Sequence, residues 1–395
     1  MISILLIVCF FFGSIDITDE NIKGKVVDLD TREPVSYVHI SIENSPLGTV
    51  TNEDGIFSLI VPSSYSNSKL VVTHVGYEKL IVSFHQMSTN STFKIKPIII
   101  TLDEVTVSGL NPFEIIKEAS NKRKENYPFY PSKLTGFYRH GIKIDDKYTQ
   151  FLETSLEIVM PHYGLILNNS KTDREIYVNE LRAFETDNYY SVSPYRLFDD
   201  LFFIPVNEKS YDVEIILGRS NDSEIVISAI PKVLTSGLPG FQLTIDKKSY
   251  AYKEIQYYIP NEFWETKDFT ERTLVAQEGK KKTIKERRTK FLVTYSFYNY
   301  NDKWHLKQIN QSNKFAIVTE NEQPHNVIYY INYVTQNISE DVSGQNKKNL
   351  LSKDQDIYSL KRKNNRPFWG TYPIIEPSAE QIKIIDMIEK TEGNN

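Results

Sequence analysis

The chain has 395 residues, 40% hydrophobic and 25% charged, enough for two or three domains that each bury a core. A formal net charge of −5 supplies no overall positive field, so nucleic-acid binding is not expected. The 25 Tyr and 21 Phe, with frequent Val, Ile and Thr, favour pleated, half-buried surfaces over helices, and β structure is expected to dominate.

Ile2 to Phe12 is a nearly unbroken apolar run. At about 11 residues it is too short to span a bilayer but suits the apolar core of a secretory signal. Gly13 and Ser14 are small enough for a cleavage site, so residues 1–14 are expected to be a signal peptide and the mature chain to be exported, to the periplasm or the outer membrane. Cys9, the only cysteine, lies inside the run. It is open to two readings: a lipidation site in Leu6-Ile7-Val8-Cys9, or a residue removed with the signal, which leaves a mature chain with no thiol for disulfides. After residue 14 no apolar stretch approaches 18 residues, and no transmembrane helix is expected in the mature chain.

Residues 21–108 read as seven short strands, near 22–28, 35–43, 47–51, 56–61, 69–75, 78–84 and 94–107. Their core candidates are Val26, Val38, Ile40, Ile42, Phe57, Leu59, Val61, Leu70, Val72, Tyr77 and Ile99. At the centre, Gly48 to Phe57 reads as a hairpin, because Asn52, Asp54 and Gly55 are turn formers and Asp-Gly tolerates positive φ. Ile22-Lys23-Gly24-Lys25-Val26-Val27-Asp28, Glu33-Pro34-Val35, the Gly48–Phe57 stretch, Val75-Gly76-Tyr77 and Leu102-Asp103-Glu104-Val105-Thr106-Val107 follow one another in register. In this the segment resembles the carboxypeptidase-like regulatory domain. The resemblance implies a transthyretin-like Greek-key β-sandwich of a kind found in Bacteroidetes-type cell-envelope proteins and ahead of the plug of many TonB-dependent receptors. Asn126-Tyr127-Pro128 and Gly136-Phe137-Tyr138-Arg139 resemble the segment that follows it in stand-alone envelope proteins, a resemblance that brings no known reaction.

Residues 111–127 form a linking helix, with Asn111 as N-cap, Pro112 at the first helical position and Glu114 in the first turn. Phe113, Ile116 and Ala119 or Ser120 recur at helical spacing, and Pro128 ends the helix. Residues 132–340 read as a larger antiparallel β domain, a curved sheet or half-barrel loosely like the periplasmic lipoprotein-carrier fold. Its strands are expected near 133–142, 147–159, 174–185, 211–219, 223–230, 240–246, 249–258, 289–299, 303–310, 313–319 and 326–335. Residues 341–395 read as a polar linker to Asn365, then a C-terminal helix opened by Pro377-Ser378-Ala379-Glu380 with Ile382, Ile385 and Ile388 on one face.

Catalytic signatures are missing. No histidine has Glu three residues on, as a zinc carboxypeptidase site requires; His39 with Glu43 and His74 with Glu78 are four apart, roughly 13 Å along a strand. Gly-x-Ser-x-Gly and the phosphate-cradling glycine motifs do not occur. Asp145-Asp146 and Asp199-Asp200 admit an acid/base dyad or, more simply, a turn and a solvated loop edge. The basic run Lys280 to Lys290 reads as a charged, mobile hairpin tip, or as a contact for anionic headgroups. No cofactor or metal is expected. Candidate partner-surface residues are Arg139 and His140, suited to an anionic group, and Tyr189, Tyr190, Tyr195 and Arg196, whose rings suit stacking on a glycan or peptide; strand pairing and core packing are the competing accounts. The expectation is a non-enzymatic envelope binding or scaffolding protein with envelope proteins or glycans as partners. The alternatives are an accessory component of a TonB-dependent uptake system and an unrecognised glycan or peptide hydrolase.

Overall fold

The computed structural model describes residues 20–43, 45, 47–74, 77–84, 91–97, 111–163, 174–186, 190, 192–198, 201–216, 220, 223–275, 281–318, 323–360, 365–372 and 375–392. The expected signal peptide, Cys9, Gly76, Ile99, the Leu102–Val107 motif, Tyr189 and Asp199-Asp200 lie outside these residues.

The N-terminal module contains β1 (Glu20–Asp28), β2 (His39–Ile42), β3 (Gly48–Val50), β4 (Ile56–Val61), β5 (Lys69–Thr73), β6 (Leu80–Ser83) and β7 (Ser91–Ile95). They form two sheets, β4-β1-β7 and β3-β2-β5-β6, with β1 and β7 parallel. Val26, Val38, Ile40, Phe57, Leu70 and Val72 are fully buried between them, as the alternation predicts, and Tyr77 packs on their margin. One expectation fails. β3 pairs with β2 and β4 with β1, so the Gly48–Phe57 stretch is no hairpin but carries the chain from one sheet to the other. Its turn chemistry is present all the same: Gly55 has φ +72, and the Asn52 side chain accepts from the amides of Asp54 and Ile56. What decides against the hairpin is Thr51, whose hydroxyl donates to Val35 and accepts from the Val38 amide, fastening β3 to the β2 side.

The linking helix is two pieces, α1 (Pro112–Asn121) and α2 (Arg123–Asn126), separated at Lys122. Asn111 caps α1 as expected, and Ile115, Ile116 and Ala119 bury its inner face.

The second domain is one eleven-stranded antiparallel sheet. In chain order its strands are β8 (Ser132–Ile144), β9 (Lys147–Met160), β10 (Glu175–Glu185), β11 (Tyr211–Ile215), β12 (Glu224–Pro231), β13 (Gly240–Asp246), β14 (Tyr252–Tyr258), β15 (Thr270–Val275), β16 (Lys281–Tyr300), β17 (Lys303–Val318) and β18 (His325–Ser339). The five-residue α3 (Asn261–Glu265) follows β14. The strand order is β10-β9-β8-β18-β17-β16-β14-β13-β12-β11, with β15 on the free part of β16, and the path does not close into a barrel. Two expected strands, 303–310 and 313–319, are the single β17, which pairs along the 20-residue β16 with two register shifts. The basic run is no hairpin tip: from Lys281 onward it is strand, paired with β15, with Ile284 buried and Arg288 lying over the rings of Trp264, Phe291 and Phe315. Asp145 and Asp146 form the tight β8–β9 turn, both at positive φ, and Asp145 meets His325 Nδ1 at 2.6 Å.

The main hydrophobic core covers one face of this sheet, beneath α1 and residues 192–202. Residues 350–358 belong to it as well. Leu351, Ile357 and Tyr358 are buried there, and the Leu351 and Ile357 amides donate to the Ile176 and Val192 carbonyls, so this part of the expected polar linker is a strap across the core. The other face of the sheet receives the N-terminal module and the C-terminal segment, α4 (Arg366–Thr371) and α5 (Ala379–Glu392). On α5, Ile384, Ile385 and Ile388 are buried whereas Ile382 is 45% exposed, which shifts the apolar face from the expected one. Among the described residues no helix is long and apolar enough to cross a membrane.

Candidate functional site: a polar cavity between the modules

Arg139 and His140 are neighbours on β8, so their side chains leave opposite faces of the sheet. Arg139 is buried on the docking face. Its Nε donates to Glu153 Oε1 at 2.7 Å and its Nη2 to the Ile375 carbonyl at 2.8 Å, while Arg182 Nε donates to Glu153 Oε2 at 2.6 Å. His140 is buried on the core face, its Nδ1 2.9 Å from the Tyr358 hydroxyl and its ring edge-on to Tyr329. Burial pushes its pKa down to about 3. Tyr190 stacks on Phe315, and Tyr195 donates to the Leu351 carbonyl. Both are core residues with no exposed stacking face, and of this stretch Arg196 is exposed. The structure therefore does not gather the predicted partner-surface residues into one site.

It gathers others. Across the docking face, cross-strand partners align a single row from β14 to β10: Gln256, Thr294, Asn310, Asn332, Arg139, Glu153, Arg182. The half with the ion pairs lies under the C-terminal segment. The other half is a ladder of amides and hydroxyls, in which Asn332 Nδ2 donates to Asn310 Oδ1 at 3.1 Å and Gln256 Nε2 to Thr294 Oγ1 at 3.4 Å. Beside it runs a second row, Glu254, Ser296 and Gln308.

The N-terminal module is fastened over this surface. Lys143 Nζ bridges Glu53 Oε2 at 2.7 Å and Glu380 Oε2 at 2.9 Å, which ties sandwich, sheet and α5 at one point. Burial disfavours its charge, but the two carboxylates outweigh that and hold its pKa above the usual lysine value. The Tyr37 ring lies 6.2 Å from that of Tyr330, and Val50 packs with Phe137, Val334, Trp369 and Ile375. Tyr148, Tyr330 and Gln381 share a buried hydrogen-bond cluster, with the two hydroxyls 2.8 Å apart.

Between the modules these contacts leave a cavity of about 320 Å³. One wall is the double polar row; the other carries Tyr37, His39, Thr73 and His74 from the sandwich. Gln308 Oε1 and His39 Nε2 are both buried and make no hydrogen bond within the protein. His39 is held neutral, first by burial and then by the nearby charge of Lys307. Lys307 is itself 6% exposed beside Gly48, and burial reinforced by Lys79 lowers its pKa to about 7. Sequence reading missed the ladder. The available signal was the polar run from Lys307 to Lys314 on β17, broken only by Ile309, but which strands carry the ladder's other rungs depends on register.

No curated protein matches the chain. Among solved structures it is similar to a putative outer membrane lipoprotein-sorting protein domain from Vibrio parahaemolyticus, at 11% identity and TM-score 0.26, covering 60% of this chain and 96% of that one. It is also similar to a LolA superfamily protein from Nitrosomonas europaea, at 8% identity and TM-score 0.21 over 61% and 97% of the two chains. A third is the Pseudomonas aeruginosa MucA/MucB complex, at 10% identity and TM-score 0.18 over 56% and 93%. Scores this low carry no argument about function. The N-terminal match is of a different kind: residues 22–107 fit the family model of the CarboxypepD_reg-like domain, with the seven strands and the buried core described above, and the module that walls the cavity is a CarboxypepD_reg-like domain.

Proposed function

We propose that the chain is a non-enzymatic binding or scaffolding protein of the cell envelope, acting in the periplasm or at the outer membrane, with its ligand site between the two modules. The observation that carries this reading is the cavity itself: a CarboxypepD_reg-like domain docked face-on to a large sheet, with side-chain amides and hydroxyls lining the space between. Such groups bind a ligand by hydrogen bonds. Glu254 is the single acidic residue among the described lining residues, whereas glycosidic hydrolysis takes two carboxylates about 5–10 Å apart. The apolar run Ile2–Phe12 supports export.

The test is expression of the full chain from its own start in a Gram-negative host, followed by fractionation, crosslinking and a turnover screen on envelope glycans and peptides. Recovery in the periplasm or outer membrane, with a crosslinked envelope component and no turnover, is the expected result. Cytoplasmic retention would overturn the envelope assignment, and turnover of any substrate would overturn the non-enzymatic one.

A further inference from the structure

We propose that the cavity between the modules binds a neutral saccharide of one or two rings, held by Thr294, Ser296 and Asn310 on the sheet and walled by Tyr37 of the sandwich. This rests on reading the chain as a binding protein, and it adds the chemical class of the ligand.

The first argument is the lining. Gln308 Oε1 and His39 Nε2 are closed off from solvent and offer a ligand nothing, whereas Thr294, Ser296 and Asn310 are part-exposed on the cavity wall. Their hydroxyls and amide, with the Asn332 amide beside them, set donors and acceptors along paired strands on one surface. A ligand must then donate and accept at closely spaced points. Vicinal hydroxyl groups do so.

The second argument is charge. Among the described lining residues there is no Lys or Arg, and Glu254 is the one acidic group. An anionic ligand would find no cation there, and a cationic one a single carboxylate already shared with Ser296. The third is shape. β14, β16, β17 and β18 are interior strands whose backbone groups are taken up by neighbours, so an extended peptide has no free edge to join. The cavity sits at the small end of the usual range for ligand sites, about 300–1,000 Å³, and the half-buried Tyr37 ring offers an apolar face to the C–H side of a sugar.

The experiment is calorimetric titration of the full chain with a panel of neutral mono- and disaccharides and their uronic-acid counterparts at millimolar concentration. It is repeated on Thr294→Ala and Asn310→Ala, and on Ser296→Phe, which fills the space. Binding of at least one neutral sugar, weakened about tenfold or more by each variant while the melting temperature of at least one of them is unchanged, is the expected result. Silence of the whole panel overturns the saccharide assignment yet leaves the binding-protein reading to its own crosslinking test. Preference for the uronic acids, or binding untouched by all three variants, also overturns it. Turnover of a bound sugar would instead remove the reading on which it rests.

Discussion

Arg139 and Glu153 stand opposite each other on β8 and β9, and both side chains are shut off from solvent, 2% and 0% exposed. Arg182, the partner of Glu153 on β10, approaches the same carboxylate from the other side and lies over the Trp369 ring. One buried anion thus serves two buried cations, and Arg139, by donating to the Ile375 carbonyl, holds the C-terminal segment on the sheet. Burial opposes the Glu153 charge, but the two guanidinium groups outweigh it and keep its pKa below the usual glutamate value. Glu153→Gln keeps the shape but removes the charge partner of Arg139 and leaves Arg182, among the described residues, only Glu389, at 3.9 Å. The expected loss is about 3–5 kcal/mol, read as a lower urea midpoint. In the wild type this contribution is present above the unfolded pKa and is lost as pH falls through the lower folded one.

A second acid-sensitive contribution comes from histidines. Burial lowers His140 to about 3 and His305 to about 4, from an ordinary 6.5. Between those values the unfolded chain binds protons that the folded one refuses, so stability falls as pH drops from about 6.5 toward 3. His140→Gln, which keeps a partner for the Tyr358 hydroxyl, should shrink the difference in melting temperature between pH 7 and pH 4.

Lys307 works in the alkaline direction. With a folded pKa of about 7 against the ordinary 10.5, its cost is fully present below pH 7 and is relieved as pH rises toward 10.5. Lys307→Met is expected to stabilise the protein near pH 6 by an amount on the order of a few kcal/mol, with the gain shrinking by pH 10. Urea unfolding at the two pH values measures both.

Gly55→Ala should destabilise the sandwich. The residue sits at φ +72, and an added Cβ would lie 2.5 Å from the Val26 carbonyl oxygen, a backbone atom that cannot move aside. The expected loss is on the order of 2–3 kcal/mol in thermal unfolding.

Lys143→Met removes the group that joins Glu53 to Glu380. Hydrogen exchange of the Val50 and Thr51 amides should speed up, while amides of β12 and β13, far along the sheet, keep their protection.

Much of this fold is legible in the sequence because it is local. Alternation placed six of the seven sandwich strands and most strands of the large sheet, whereas the seventh, expected over 94–107, is β7 at Ser91–Ile95; Asn111-Pro112 marked the start of α1 to the residue. On α5, Ile385 and Ile388 are buried as expected but Ile384 replaces Ile382, a rotation of the apolar face that only the surface beneath the helix decides.

The candidate site was not legible, for a physical reason. Composition and alternation by themselves pointed to a mainly β chain, because these signals act over a few residues, while the CarboxypepD_reg-like module at its start was legible through the resemblance of its motifs, which follow one another in register. They also picked out Arg139, His140, Tyr190 and Tyr195 as distinctive, but a side chain's role depends on which face it leaves and what covers that face. Tertiary structure sent the first to an ion pair and the other three into the core. It also set the register that lines up Gln256, Thr294, Asn310 and Asn332, residues up to 76 positions apart, and seated the sandwich over them. A slip of one residue in any of those pairings would turn a rung of that ladder into the opposite core, and nothing within a single strand records its neighbour's register.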